Sequence, residues 1–341
     1  MIMTMTGTLR STEPKDLPAV AQFLAGVYKF EPPEFHAATQ LLTWKYLHPR
    51  ASWQGGRSYL LEEGGRIIAH CGICPVNFRL PNGTIVKSLT MTDWAADPSF
   101  RGVGKMLFRK LMEMTPTSFI IGGTGPTRHI LPNLGFRYIG DAVTYGAWLR
   151  PWREFQTRTR TVRSTFRLLH GLTHPARNRG RRSAGWDFDP VDQFDDSLLS
   201  ILNGTKRPWT FCPRTVSDLN HLLKCPHVKM QGFLLRRNAE LVGYFITGNA
   251  GWETRLLDLV VDSASTDDWN LAGAMVTMAA RLNPEACRIR AQASVPMLSE
   301  ALAWNGYWRQ YKQPIALYDP VNLLGEALPV DFQFFDGDYG Y

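Results

Sequence analysis

The stretch ADPSFRGVGKMLFRKLME, residues 96–113, places an arginine and two glycines where a helix begins. A strand-like run ends at Asp97, and apolar residues recur at helical spacing from Val103 to Leu111. The first N–H groups of a helix lack intrahelical acceptors, and the helix dipole adds partial positive charge there. Because Gly102 has no Cβ, an anion can approach the backbone closely. The stretch therefore predicts a strand followed by an anion-binding helix N-terminus; a basic strand-to-helix turn is the alternative.

Hydrophobic periodicity predicts a mixed α/β domain around this stretch, with a mixed central sheet flanked by helices. The predicted strands are residues 58–62, 66–79, 84–97, 118–122 and 143–149. The predicted helices are residues 16–24, 36–46, 102–114 and 127–134.

Two hairpin patterns indicate an internal repeat in the 341 residues. LLEEGGRIIAH at 60–70 and LLRRNAELVGY at 234–244 share the order of aliphatic, charged and turn residues. Asp93 and Gly135 have counterparts at Asp258 and Gly306 at similar offsets, although short hairpins also resemble one another by chance. The predicted domains are residues 8–150, a basic linker at 151–185, and a second, degenerate copy at 186–341.

The net charge of +8 comes from one segment, Arg150–Arg182, which holds ten arginines and a single acid, Glu154. Within it, Val162, Phe166, Leu169 and Leu172 fall near one helical face. A basic amphipathic helix suits an anionic membrane surface. A plain solvated linker, an anionic substrate and nucleic acid are the alternatives, and no nucleic-acid motif supports the last.

Composition narrows the class of protein further. A content of 44% apolar and 20% charged residues is typical of a globular chain, and no apolar run has the length of a membrane span. The N-terminus lacks a cationic head followed by a long apolar stretch, which favours the cytoplasm. The five cysteines include one CxxC, Cys71–Cys74, in a strand-like run without a second pair, so we expect no metal.

The opening stretch resembles the acetyl-CoA-binding motif of the GNAT superfamily of N-acetyltransferases, Gln/Arg-x-x-Gly-x-Gly/Ala after a strand. Arg101 and Gly104 match the motif, whereas Met106 departs from it. NLGFRYIG at 133–140 resembles the Gly-Phe that follows the next helix in that family. The resemblance spans about 140 residues, and it implies a GNAT fold and acetyl-CoA, or another acyl-CoA, as the acyl donor.

The resemblance also implies which residues hold the coenzyme. Its pantetheine arm would pair with the main chain of Trp94, Ala95 and Ala96. The pyrophosphate would accept N–H groups from Gly102 through Met106. The implied site therefore consists of Trp94, Ala95, Ala96, Arg101, Gly102, Val103, Gly104, Lys105 and Met106.

The catalytic residues are less marked in the sequence. An acceptor amine must lose a proton, and Asp93 is the candidate base, with apolar neighbours that we expect to raise its pKa. A structural cap or ion pair is the alternative role for Asp93, and His129 is an alternative base. Many GNAT enzymes place a tyrosine where this chain has Leu131, and Tyr138 or Tyr145 are the candidate replacements for that acid.

The second half lacks the Arg-x-x-Gly cradle and carries Asp262, Asp267 and Asp268 instead, so we expect no CoA there. Tandem pairs with one silent half resemble acyltransferases of bacterial polysaccharide synthesis and aminoacyl transferases of peptidoglycan bridges. The expected function is acyl transfer to an amine, such as an amino sugar or cell-envelope precursor. The alternatives are a bridge-type aminoacyl transferase and a non-catalytic CoA-binding scaffold. The C-terminal DFQFFDGDYGY either docks on its own domain or stacks on a sugar.

Overall fold

The structure is a computed structural model of the single chain. It describes residues 7–29, 39–50, 53–157, 162–173, 176, 185–204, 207–325 and 329–337. The start of the predicted helix at 36–46 and part of the basic linker at 151–185 lie outside the described residues.

The described chain alternates strands and helices. The strands are β1 Thr8–Ser11, β2 Ser58–Glu63, β3 Arg66–Arg79, β4 Ile85–Ala96, β5 Thr117–Ile121, β6 Arg137–Trp148, β7 Trp186–Val191, β8 Thr210–Phe211, β9 Lys229–Arg237, β10 Glu240–Ala250, β11 Glu253–Val261, β12 Arg288–Ala293, β13 Trp308–Tyr318 and β14 Val330–Asp331. The helices are α1 Leu17–Tyr28, α2 Thr39–Leu42 with a π-helical extension Thr43–Leu47, α3 Val103–Met112, α4 Gly125–Ile130 with a 3₁₀ extension Leu131–Leu134, α5 Pro151–Thr157, α6 Val162–Thr173, α7 Leu199–Leu202, α8 Val216–Leu223, α9 Thr266–Leu282 and α10 Pro296–Trp304. Short 3₁₀ turns cover Pro14–Asp16, Asp196–Leu198 and Phe334–Asp336.

Both predicted hairpins are present, and their turns have the geometry that right-handed strand twist favours. Gly64 and Gly65 join β2 to β3 with φ of +57° and +75°. Asn238 and Ala239 join β9 to β10 with φ of +52° and +68°. Two successive positive φ angles are typical of the type I′ turn, which matches the twist of the flanking strands.

All the strands belong to one mixed sheet, which confirms the predicted fold class. Its main path runs β1-β2-β3-β4-β5-β13-β6-β12-β11-β10-β9-β7. Three antiparallel strands, a helix and a parallel strand occur twice in this order, as β2-β3-β4-α3-β5 and β9-β10-β11-α9-β12. The strand that follows each set pairs with the other set. Strand β6 follows β5 in the chain but pairs with β12, and β13 follows β12 but pairs with β5, so we call β6 and β13 the exchanged strands. The halves on either side of the linker therefore build a common sheet.

Helices α1 and α3 cover opposite faces of the sheet beside the opening stretch. Leu17, Val20 and Leu24 of α1 pack with Leu60, whereas Val103, Leu107 and Leu111 of α3 pack with Leu61. Adjacent residues of a strand point to opposite faces, so Leu60 and Leu61 assign one face to each helix. The end of β4 therefore lies between two helical layers.

Candidate active site

The sheet opens where β4 and β5 separate. The two strands pair in parallel only from Ser88–Thr90 to Thr117–Phe119, after which β5 ends at Ile121 and β4 continues to Ala96. A register shift between β3 and β4 accompanies Asp93, whose φ is +47°. A β-bulge of this kind re-aims side chains and bends the strand. The result is a gap between two central strands.

This gap is a cavity of about 640 Å³, which we call the first cleft. Its polar lining includes the hydroxyl side chains Tyr28, Thr90, Thr92, Thr124 and Thr127 and the charged side chains Lys45, Asp93 and Arg128. Trp94, Phe108 and Ile120 supply apolar walls. Gln313 of the exchanged strand β13 and Gly337 also line it, so the C-terminal half contributes to the first cleft.

The N-terminus of α3 lies at the end of the same strand. Gly102 is its N-cap with φ +86°, and a Cβ at Gly102 would meet nothing within 4 Å. This position needs glycine for its backbone conformation and leaves the helix end open, as an anion site requires. Gly104 has a different role, because a Cβ there would lie 3.0 Å from the Cβ of Ala96. It allows α3 to pack closely on β4.

One of the predicted coenzyme contacts is not supported. The N–H of Met106 donates to the carbonyl of Gly102 at 3.0 Å, which is the first intrahelical bond of α3. Because that amide is committed to the helix, the available donors precede it, from Gly102 to Lys105. Our expectation that Met106 donates to a pyrophosphate is therefore corrected.

Trp94 joins the helix N-terminus to the first cleft. Its indole Nε1 donates to the carbonyl of Gly104 at 3.0 Å, and its ring packs on Phe108 with centroids 4.4 Å apart. Its carbonyl accepts the hydroxyl of Tyr28 at 2.7 Å. Ala95 and Ala96 pair with His70 and Ala69 of β3, so this part of β4 has a strand neighbour on one side only. The carbonyl of Trp94 already has a partner that the sequence did not indicate.

Asp93 lies in the cleft wall, but its pKa differs from the expectation. Its Oδ2 accepts the ammonium of Lys45 at 2.9 Å and the hydroxyl of Tyr46 at 2.5 Å. Burial alone would raise the pKa of Asp93, but the Lys45 charge and the Tyr46 hydrogen bond together hold it below its ordinary value. The expected upward shift is therefore wrong, and the carboxylate stays ionised at neutral pH.

Lys45 and Tyr46 reach Asp93 because of the helix that carries them. Residues Thr43–Leu47 form a π-helical turn, which buries Trp44 together with Lys45 and Tyr46. Trp44 packs into the second half, where its Nε1 donates to the carbonyl of His221 at 2.9 Å and the two rings stack at 4.8 Å. Helix α2 therefore links the second half to the ion pair in the first cleft.

The other candidates for acid and base lie elsewhere. His129 is exposed on α4, and its neighbour Arg128 lines the cleft instead. Tyr138 is 64% exposed on β6. Tyr145 is buried beside a separate cavity lined by Asp141 and Tyr307. Tyr28 is the phenol in the cleft wall, and no sequence motif marked it.

A comparison with protein families identifies the first part of the chain. Residues 8–118 match the family model described as the acetyltransferase (GNAT) domain. The chain contains a GNAT domain. The match includes β4 and the α3 N-terminus. A search of curated proteins finds no match.

Solved structures share the fold over most of the chain. A GCN5-related N-acetyltransferase from Anabaena variabilis aligns with a TM-score of 0.61 and 13% identity, over 94% of this chain and 75% of its own. A putative acetyltransferase from Pyrococcus horikoshii aligns with a TM-score of 0.58 and 12% identity, over 100% of this chain and 97% of its own. Saccharomyces cerevisiae N-myristoyltransferase with bound myristoyl-CoA aligns with a TM-score of 0.60 and 10% identity, over 94% of this chain and 84% of its own. At such identities the likeness establishes the fold, and the GNAT domain supports acyl transfer in general.

Strands β11 and β12 of the second half separate as β4 and β5 do, and we call the space between their ends the second cleft. Strands β11 and β12 pair in parallel over Glu253–Leu256 and Arg288–Ala291, and β11 then continues to Val261. Between their ends lies the chain's own C-terminal segment. The side chain of Gln333 both donates to and accepts from the main chain of Leu259, each at 2.9 Å.

We expect Asp331 of this segment to make the stability of the protein depend on pH. Burial, first, and then Asp336 and Asp258 raise its pKa to about 7, against the lowering effect of Arg207 and Arg214. The folded state therefore binds this proton more tightly than the unfolded state. Its contribution is full near pH 4 and is lost as pH rises through 7.

We expect Asp331→Asn to remove this dependence. Each pKa unit corresponds to about 1.4 kcal/mol, and about two units separate pH 5 from a pKa near 7, so the variant should gain about 3 kcal/mol over the parent between pH 5 and pH 8. Urea unfolding at the two pH values measures the difference. Equal changes in parent and variant would show that Asp331 does not titrate in the folded protein.

Proposed function

We propose that the protein transfers an acyl group from acyl-CoA to an amine in the first cleft. The observation that carries this proposal is the contact from Trp94 to Gly104, which places an open helix N-terminus beside a cavity between splayed strands. A coenzyme with a diphosphate and a long thioester arm matches that pair of features in chemistry. The GNAT domain match over residues 8–118 supports the same donor.

In this proposal the amides from Gly102 to Lys105 bind the diphosphate, and Arg101 and Lys105 add full positive charges. Anions at a helix N-terminus gain from both the free N–H groups and the dipole. The pantetheine arm lies along the open side of Trp94, Ala95 and Ala96. Because the Trp94 carbonyl has two lone pairs, it can accept a hydrogen bond from the pantetheine arm in addition to the one from Tyr28.

The reaction forms a C–N bond and breaks the C–S bond of the thioester. The amine nitrogen attacks the carbonyl carbon, becomes positively charged, and loses its proton as the CoA thiolate leaves. Asp93, ionised beside Lys45, is the proposed proton acceptor, and its low pKa makes stabilisation of the positive nitrogen its larger contribution. Holding both reactants in one cleft supplies much of the remaining rate.

Hydroxyl groups in the cleft favour a particular class of amine. The hydroxyl groups of Tyr28, Thr124 and Thr127 can each accept hydrogen bonds from a ligand, and Asp93 is the proposed proton acceptor for an amine. An amine that carries several hydroxyl groups, such as an amino sugar, satisfies both features. We propose amino sugars, alone or within a cell-envelope precursor, as the first acceptors to test.

Two assays separate this function from its rivals. In a thermal shift assay, acetyl-CoA should raise the midpoint of the parent protein, as any ligand of the folded state does. In a thiol-release assay with acetyl-CoA, amino sugars should be acetylated faster than simple alkylamines. Binding without thiol release from any amine would favour a non-catalytic CoA-binding protein. A protein that does not bind acetyl-CoA but accepts aminoacyl-tRNA as its donor would be a bridge-type aminoacyl transferase.

We also propose that α5 and α6 contact an anionic membrane surface. Trp152, Leu169 and Leu172 are each more than half exposed on these helices. The helices pack closely, since a Cβ at Gly171 would lie 2.5 Å from the Cβ of Pro151. The arginine-rich composition of this region adds attraction to anionic lipids, about 1 kcal/mol per residue near the surface. Among the described residues, no helix has the length and apolarity of a bilayer span.

We expect the protein to sediment with phosphatidylglycerol vesicles at low salt, and the double variant Trp152→Ala/Leu172→Ala to bind at least about fivefold more weakly, because it loses buried apolar area. Val321→Ala is the control, since Val321 is also more than half exposed but lies far along the chain from the basic segment. Absence of vesicle binding by the parent protein would rule out the membrane contact.

A further inference from the structure

The C-terminal segment Val330–Gly337 touches both clefts. In the second cleft, Gln333 bonds to the main chain of Leu259 on β11. At the end of β12, the hydroxyl of Ser294 donates to the carbonyl of Val330 at 2.7 Å and accepts the N–H of Phe332 at 2.6 Å. The segment is therefore hydrogen-bonded to strand β11 and to the residue that follows strand β12.

An ion cluster fixes the end of the segment. The guanidinium of Arg214 donates two hydrogen bonds to Asp336, at 2.6 and 2.9 Å, and two to Asp258, at 3.1 and 3.2 Å. Asp258 also accepts the hydroxyl of Tyr244 at 2.7 Å. Every donor and acceptor here belongs to the second half, so this half determines where Asp336 lies.

The same segment reaches the first cleft. Phe332 packs on Phe119 with ring centroids 4.7 Å apart, and Phe119 is the last residue of β5 that pairs with β4. Gly337, which follows the anchored Asp336 directly, lines the first cleft. The chain thus runs from a filled second cleft to the wall of an open first cleft.

We infer that the second cleft is a binding site for the chain's own residues 330–336, and that this docking fixes the wall of the first cleft at Gly337. Gln333 is then a positioning residue for acyl transfer, acting through the segment rather than by contact with substrate. The inference rests on the proposed function for its effect on catalysis, whereas the docking itself does not. It assigns the second half the role of an anchor and predicts one acyl-CoA per chain.

The test compares the parent protein with Gln333→Ala, and uses Gln22→Ala, an exposed glutamine on α1, as the matched control. Hydrogen exchange followed by mass spectrometry should find the amides of 332–336 at least tenfold faster in Gln333→Ala than in the parent or the control. Calorimetry should find one acetyl-CoA per chain in all three proteins, with dissociation constants within twofold. The KM for the best amino sugar should rise at least fivefold in Gln333→Ala alone, with a smaller change in kcat.

Two acetyl-CoA molecules per chain, or ligand protection of 256–261, would overturn the docking. Fast exchange at 332–336 with an unchanged KM would overturn the link to the first cleft. If the parent binds no acetyl-CoA, the proposed function fails, and the exchange rates of the three proteins still decide whether Gln333 holds the segment in the second cleft.

Discussion

Replacing Arg101 and Lys105 together with glutamate is expected to weaken acetyl-CoA binding by at least about 100-fold. Each charged hydrogen bond to the diphosphate contributes about 1.5–3 kcal/mol, and each tenfold change in affinity corresponds to about 1.4 kcal/mol. Reversal of both charges also repels the diphosphate. Isothermal titration calorimetry with acetyl-CoA measures the change directly.

The matched control is the pair Arg109→Glu and Lys110→Glu in the last turn of the same helix. It changes the net charge of the protein by the same amount but leaves the helix N-terminus intact. We expect its affinity for acetyl-CoA to stay within about threefold of the parent, because exposed charges this far along the helix are screened. Equal losses in the two double variants would point to a general effect of net charge instead of a local cradle.

Replacing Arg214 with methionine is expected to destabilise the folded protein by about 5 kcal/mol, or to prevent folding. The side chains of Arg214, Asp258 and Asp336 are at most 7% exposed. Removal of one partner from a buried ion pair costs about 3–5 kcal/mol, because it leaves a charge buried without compensation, and Arg214 compensates two carboxylates. Urea unfolding measures the loss against a total stability of about 5–15 kcal/mol for an ordinary domain.

Arg236→Met is the control for that experiment, because the side chains of its ion pair with Asp189 are 36% and 53% exposed. Exposed pairs contribute about 1 kcal/mol or less. Adding Asp258→Asn and Asp336→Asn to Arg214→Met should restore part of the lost stability, since neutral amides are less costly to bury. A variant Arg214→Met that unfolds at the same urea concentration as Arg236→Met would contradict the role of the cluster.

Local features of the first half could be predicted from the sequence because they depend on neighbouring residues. The predicted strand at 66–79 has the bounds of β3, and the predicted helix at 102–114 differs from α3 only at its ends. Glycines marked the turn at 64–65 and the N-cap at 102, because glycine adopts positive φ angles at no steric cost. Strand β1 was missed, since four residues carry little periodic signal.

Features that depend on distant residues could not be predicted in this way. Nothing in the pattern of β13 indicates that it inserts between β5 and β6, because strand exchange leaves the local alternation of side chains unchanged. The pKa of Asp93 was expected to rise because its sequence neighbours are apolar, whereas its spatial neighbours are Lys45 and Tyr46. Docking of the C-terminal segment was one of two expectations, but its site between β11 and β12 has no sequence signature.

The duplication and the domain limits remain proposals. The repeated element order and the two type I′ hairpins support a common origin of residues 8–150 and 186–341. The exchanged strands β6 and β13 imply that neither half, expressed alone, can complete its own sheet. Any division of this chain at residue 150 therefore separates strands that belong together.

The central claim is that the N-terminus of α3 binds the diphosphate of a coenzyme. Calorimetry with acetyl-CoA and with acetyl-pantetheine, which has the same thioester arm without the diphosphate, tests it most directly. We predict one acetyl-CoA site per chain and a dissociation constant for acetyl-pantetheine at least about 100-fold weaker, the loss expected for two or more charge-assisted hydrogen bonds. Equal affinities for the two thioesters, or no heat with acetyl-CoA, would contradict the claim.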